Sequence, residues 1–243
     1  MKENKYDDPS FFDQYEKMLR SQLGLEGAGE WHTLRTMLPD FKGKKVLDLG
    51  CGFGWHCRYA IENGATSVIG IDLSEKMLAK AKDINQLAGI QYERMALEDV
   101  TYPSNSFDLV LSSLTFHYIE SFETIAGNIY QWLTAGGHLV FSVEHPVFTA
   151  EGGQDWVYDK DGQKICWPVD RYFLEGKRNT TFLGENVIKY HRTLTSYLNT
   201  LLKHGFRIKE IVEPQPGPEM LKEIPEMKEE LRRPMMLIIS AEK

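Results

Sequence analysis

Cysteine is scarce in this chain. Three occur in 243 residues, Cys51, Cys57 and Cys166, an odd set with no C-x-x-C pair. That excludes a disulfide framework and a cysteine zinc site, and it points to a reducing compartment, the cytoplasm. Positive charge is in deficit as well. Against 35 Asp and Glu stand 28 Lys and Arg, a formal net charge of -7. No broad positive field exists to draw phosphates, so neither nucleic acid nor an anionic membrane is the expected partner. No apolar run approaches the length of a membrane span, and residues 1–10 are polar and acidic rather than a leader. The spacing H-E-x-x-H is missing, so no metal is expected, and without G-x-x-x-x-G-K-[ST] a P-loop nucleotide site is disfavoured.

What remains is the composition of a globule, with 42% hydrophobic and 26% charged residues in a length that suits one large α/β domain. Residues 9–38 carry apolar side chains at helical spacing, Phe12, Tyr15, Met18 and Leu19 on one face and Trp31, Leu34 and Leu38 on another, which predicts two helices parted at residues 24–29. From residue 45 strands and helices alternate. Strands are expected at 46–49, 67–72, 90–94, 107–112 and 138–144, and helices at 55–63, 75–87 and 122–133, the last closed by Gly136-Gly137. Residues 146–192 break the pattern with eight aromatics and several turns, and read as an insertion or lid. A helix at 194–203 and strands at 206–212 and 235–240 close the chain. The fold class is therefore α/β: a mainly parallel seven-stranded sheet with helices on both faces, amino-terminal helices, and an insertion after the fifth strand. Its divisions are a helical cap over 1–40, a sheet domain over 41–145 and 193–243, and the lid over 146–192.

The first strand runs into Gly50-Cys51-Gly52-Phe53-Gly54 and then a helix, which brings tightly turned backbone to a helix amino terminus. The next strand ends at Asp72, placed to accept the two hydroxyls of a ribose. The glycines read G-x-G-x-G, and the third comes one residue too early for the G-x-G-x-x-G of a dinucleotide site. That spacing disfavours an NAD-dependent oxidoreductase.

At this point the residues resemble a known family. Val46 to Gly54 is similar to the first motif of class I S-adenosylmethionine-dependent methyltransferases, and Val68-Ile69-Gly70-Ile71-Asp72-Leu73-Ser74 is similar to the second. Ser106 to Val110 followed by Leu114-Thr115-Phe116-His117-Tyr118 resembles the fourth-strand motif of the small-molecule, ubiquinone-biosynthesis-like branch, and Leu133 to Leu139 the approach to the fifth strand. The resemblance covers about residues 44–144. It implies a Rossmann-like sheet and S-adenosyl-L-methionine as cofactor. By position it implies that Gly50 and Gly52 lie along the methionine part and ribose with Cys51 and Leu114 beside them. Asp72 then holds the ribose hydroxyls, Leu73 flanks adenine, and Asp48 supports the loop or the cofactor's amino group. Where the family often has Gly-Asp-Ala, this chain has Met95-Ala96-Leu97, so adenine recognition passes to the backbone of Ala96 and Leu97 or to Glu98 or Asp99.

Such a cofactor brings its own electrophile, so the protein's task is to bind, align and exclude water. If the methyl acceptor is a hydroxyl or amine, His117 and the Glu144-His145 pair stand nearest as bases, and His117 and His145 are the catalytic candidates. Phe11, Phe12 or Tyr15 offer a ring face to a sulfonium. Tyr15, His117, Trp156, Trp167 and Tyr172 form the expected acceptor pocket, although the insertion's aromatics serve equally as a small core of their own. Arg192 reads as surface, and His56 as a helix residue without a catalytic task. The expected partner is a small-molecule methyl acceptor. A regulatory module that binds the cofactor without turnover is the alternative.

Overall fold

The computed structural model describes residues 4–243. The amino-terminal part holds α1 (Pro9–Tyr15), α2 (Leu19–Gln22) and α3 (Trp31–Met37). Then come β1 (Lys45–Leu49), α4 (Trp55–Glu62), β2 (Ser67–Asp72), α5 (Glu75–Ile84), β3 (Ile90–Arg94), β4 (Phe107–Ser113), α6 (Phe122–Trp132) and β5 (Leu133–Glu144). After α7 (Pro146–Thr149), two hairpins follow, β6 (Val157–Tyr158) with β7 (Lys164–Cys166) and β8 (Gly176–Phe182) with β9 (Glu185–His191). The chain closes with α8 (Leu194–His204), β10 (Arg207–Val212), α9 (Pro218–Glu223) and β11 (Met236–Glu242).

Seven strands form the central sheet in the order β10-β11-β5-β4-β1-β2-β3. The pairings from β3 to β5 are parallel, and β11 runs antiparallel to both β5 and β10. Alternation along each strand assigns the two faces. Leu47 and Leu49 join Val110, Phe141 and Ile239 under α6 and α8, while Val46 joins Val68, Leu109, Val140 and Ile238 under α3 and α4. Each such side chain contributes about 1.5–3 kcal/mol by leaving water. Helices start where a hydroxyl caps them: Ser74 accepts from the Met77 amide, Ser121 from Thr124, and Thr193 from Ser196. The chain winds from β1 toward β3 on one side and from β4 toward β5 on the other. This leaves a crevice at the carboxyl ends of β1 and β4, where sheets of this kind take ligands.

Two local expectations fail for identifiable reasons. The first amino-terminal helix ends at Tyr15, because the Ser21 hydroxyl donates to the Tyr15 carbonyl at 2.6 Å and the chain is extended at Met18. The Asp8 cap phases α1 so that Phe11 is buried, while Phe12 is half-buried and Leu19 exposed. Gly136-Gly137 does not close α6 either. The helix passes straight into β5 at Leu133, and the glycine pair sits in a bulge where the β4–β5 register shifts.

Candidate active site

The turn after β1 is built on glycines for two different reasons. Gly50 has φ +78°, and a Cβ there would lie 2.2 Å from Thr115 Oγ1; at Gly54, φ +76°, it would lie 2.1 Å from the Tyr92 hydroxyl oxygen. Gly52, φ +53°, meets nothing within 4 Å. Packing thus excludes side chains at the outer two positions, whereas the middle one faces open space. The amides of Gly50 and Cys51 both donate to the Ile71 carbonyl, at 2.8 and 2.9 Å, and pin the loop to β2. Asp72, at the end of β2, accepts from the Gly52 amide through Oδ2 and the Ser74 amide through Oδ1, both at 2.9 Å. Burial pushes its carboxyl upward against the pull of these bonds.

Over this loop lies a cavity of about 280 Å³. Its floor comes from the strand ends: residues 50–53, 72–73, 95–98 and 113–115. It is lined as well by the amino-terminal segment, with Tyr6, Tyr15 and Arg20, and by Phe182 and Val187 of the β8–β9 hairpin. The Tyr6 ring stands edge-on to Tyr15 and Tyr118 at 5.3 and 6.2 Å between centroids, and the Tyr6 and Tyr118 hydroxyls are 3.2 Å apart. His117 lines the cavity beside Tyr118, 4.4 Å between ring centroids. Its Nδ1 accepts from the Glu144 amide at 3.3 Å, which leaves its proton on Nε2, and burial lowers its pKa to about 4. The Glu144 carboxylate, on the same wall, receives the Lys189 ammonium at 2.5 Å and the Gln154 amide at 2.7 Å. On the glycine-loop side the Arg20 Nη2 donates to Glu30 Oε1 at 2.8 Å, and the Ser113 hydroxyl donates to the same oxygen at 3.1 Å.

Residues 47–141 match the family model described as a methyltransferase domain. A provisionally assigned S-adenosylmethionine-dependent methyltransferase from Listeria monocytogenes superposes with a TM-score of 0.86 and is 58% identical, over 90% of this chain and 99% of its own. An S-adenosylmethionine-dependent methyltransferase from Mesorhizobium loti gives 0.84 and 47% identity, over 90% of this chain and 100% of its own. The chain belongs to the S-adenosylmethionine-dependent methyltransferases. An uncharacterized protein of Haemophilus influenzae is 37% identical over 98% of this methyltransferase and 96% of its own length. Shorter stretches match proteins named for unlike acceptors, a phosphoethanolamine N-methyltransferase of Triticum aestivum over 49% of this chain and 23% of its own, and a tRNA U34 carboxymethyltransferase of Hahella chejuensis over 65% and 45%.

The residues of the methyltransferase fit its cofactor: over Gly52 is a space that a methyl group would fill, and the Asp72 carboxylate stands beside it. The cavity brings together Gly50, Cys51, Gly52, Asp72, Leu73, Ala96, Leu97, Glu98 and Leu114 and, of the residues expected in an acceptor pocket, Tyr15 and His117. Asp48 does not line it. The period of two that turns Leu47 and Leu49 to one face turns Asp48 to the other, where the Cys57 thiol donates to it at 3.2 Å and burial raises its pKa to about 7. His145 is also elsewhere. Its Nδ1 accepts from the Val147 amide and starts α7, and its Nε2 lies 2.9 Å from Glu213.

Trp156, Trp167 and Tyr172 lie outside the cavity as well. Trp167 stacks on Phe148 at 4.8 Å and Trp156 meets it edge-on, and the Arg233 guanidinium sits 4.1 Å from the Trp167 ring. Together they staple the insertion to the segment before β11. Tyr172 packs edge-on to His191 and accepts from the Leu194 amide. Arg192 is buried, not on the surface, and donates to the carbonyls of Phe116, Ile119 and Glu120. Sequence reasoning passed over Tyr6, Arg20 and Lys189, and it set His56, which lines the cavity, aside. A signal existed for Lys189. It occupies an inward position between Val187 and His191 on an alternating strand, where a charge needs a buried partner.

Proposed function

We propose that this methyltransferase moves the methyl group of S-adenosylmethionine to an oxygen, nitrogen or carbon of a small molecule. The observation that carries this reading is the lining: Tyr6, Tyr15, Phe182 and Val187, from the amino-terminal segment and the β8–β9 hairpin, wall the cavity together with the strand ends, and the Tyr6 and Tyr118 hydroxyls meet across it at 3.2 Å. A polymer needs an open groove, and a cavity walled by several segments favours an acceptor that enters whole. In this reading Gly50, Cys51 and Gly52 lie along the methionine part and ribose, and Asp72 takes the ribose hydroxyls. Leu73 and Leu114 flank the bound cofactor, and Ala96, Leu97 and Glu98 meet adenine. Bound there, the cofactor supplies the electrophilic methyl. Tyr15 offers a ring to the cofactor's positive charge. His117, neutral with its proton on Nε2, donates a hydrogen bond into the acceptor space and so orients an oxygen; its base nitrogen is spent on Glu144.

Two experiments test this. S-adenosylmethionine and S-adenosylhomocysteine are expected to raise the melting temperature, about 2.7 kcal/mol of stabilisation at a hundred times Kd, while NAD leaves it unchanged. Label from methyl-labelled cofactor, incubated with a cell extract, is expected in the low-molecular-weight fraction. Recovery in RNA or protein would overturn the small-molecule reading. Cofactor binding with no label transferred to any fraction would make the chain a binding module.

A further inference from the structure

Beside His117 stands an ion pair to which the cofactor gives no task. Glu144 lines the cavity at the end of β5, and its own amide donates to His117. Its Oε1 receives the Lys189 ammonium at 2.5 Å and its Oε2 the Gln154 amide at 2.7 Å. Lys189 is 2% exposed, and its ammonium donates also to Gln154 Oε1 at 2.9 Å, an oxygen that accepts from the Thr180 hydroxyl at 2.8 Å. Rings cover the rest of it. The ammonium nitrogen lies 6.0 Å from the centroid of Tyr118 and 5.2 Å from that of Phe182, and both of these rings line the cavity. Taking two charges out of water costs so much that such a pair stabilises a fold little more than apolar residues of the same size would. What the pair does supply is a wall that holds both signs of charge and no net charge.

An acceptor that enters this space leaves water, and a charge on it must find an opposite charge there. Glu144 is committed to Lys189, so an ammonium on the acceptor gains little from it. Lys189 is committed to Glu144 and stands behind two rings, so a carboxylate or phosphate gains as little. Elsewhere along the lining Lys5 lies 3.7 Å from Glu185, and Arg20 lies 2.8 Å from Glu30. The polar groups left to meet an acceptor beside His117 are neutral ones, the His117 Nε2–H and the hydroxyls of Tyr6 and Tyr118, set among the rings of Tyr15 and Phe182. We propose that the Lys189–Glu144 pair selects the acceptor by charge, and that the acceptor is an uncharged molecule with a ring or other flat apolar body and a polar group. The inference rests on the small-molecule reading and narrows it: phosphorylated, carboxylated and ammonium-bearing molecules are turned away.

Fragment titrations on the protein saturated with S-adenosylhomocysteine test this, with benzyl alcohol, benzoate and benzylamine as probes that share a ring and differ in charge. Shifts of the His117 ring resonances report that a probe occupies the cavity. In wild type, benzyl alcohol is expected to bind about tenfold more tightly than either ion, the order of one charged hydrogen bond left unmade. Glu144→Gln leaves Lys189 without its counter-charge and is expected to bring benzoate up about tenfold relative to benzyl alcohol. Lys189→Met frees Glu144 and is expected to bring benzylamine up by a similar factor, about tenfold. The double variant Glu144→Gln, Lys189→Met leaves neither charge of the pair buried alone, and it is expected to keep the wild-type order. Loss of a structural tie would weaken all three probes alike. Equal losses in the single variants, or an ion that binds to wild type or to the double variant as tightly as benzyl alcohol, would therefore overturn the proposal. Failure of all three probes to reach His117 while S-adenosylhomocysteine binds would overturn the small-molecule reading itself, a result distinct from both.

Discussion

Neighbouring glycines of the same loop answer to different constraints, and substitution separates them. Gly50→Ala combines left-handed strain of roughly 1–2 kcal/mol with a Cβ driven against Thr115, so the variant is expected to lose several kcal/mol in urea denaturation. Gly52→Ala carries the strain without the clash. It is expected to lose about 1–2 kcal/mol of stability, and cofactor affinity should fall at least tenfold because the methyl occupies the cofactor's space. Near-normal affinity in Gly52→Ala would remove Gly52 from the site. Asp72→Ala is expected to weaken the cofactor by a similar factor, read by calorimetry, since the carboxylate both faces the cavity and holds the Gly52 amide. At this scale the sequence was legible where a residue's task is set by its own backbone turn. It was illegible for Asp48, whose direction depends on the pleat of β1, and for Arg20, whose partner Glu30 is itself held by Ser113, eighty-three positions further along the chain.

Among the elements, the strands and helices that alternate between β1 and β5 were readable from period and caps, because each buries one face and nothing overrides it. The amino-terminal segment and the insertion were not, because their shape is set by single long-range bonds. Arg192 is the clearest case. Lying between the Phe122 and Tyr197 rings at 6.0 and 5.9 Å, it ties β9 to the turn that carries His117 and Tyr118 through three carbonyls. Arg192→Ala is expected to cost about 3 kcal/mol or more, and hydrogen exchange at residues 116–120 should rise well beyond the global change. Arg192→Lys, with one compact ammonium in place of a fork, should restore less than half of the loss. Uniform exchange across the sheet, with no excess at 116–120, would show that the tie to this turn is not what Arg192 supplies.

For the whole molecule, the buried titratable groups set opposing pH dependences that can be separated by difference. His117, with its pKa lowered from 6.5 to about 4, is neutral in the fold where the unfolded chain takes a proton; its contribution is intact above pH 6.5 and is lost as the pH falls toward 4. His56 acts the same way. Asp48 has the opposite sign. Its pKa rises from 3.8 to about 7, so the fold holds a proton that the unfolded chain has released, and that stability is present below pH 4 and lost as the pH rises to 7. A neutral amide at this position feels neither state. The stability of Asp48→Asn relative to wild type is therefore expected to increase with pH by about 1.4 kcal/mol per unit between pH 4 and 7, then level off. His117→Asn, measured the same way, should gain on wild type by about the same slope in the other direction, as the pH falls from 6.5 to 4. Urea midpoints for the three proteins across pH 4–8 supply both differences. A flat difference for Asp48→Asn would mean that Asp48 is ionised in the fold across this range, and the buried side of β1 would then have to supply its charge with a partner beyond the Cys57 thiol.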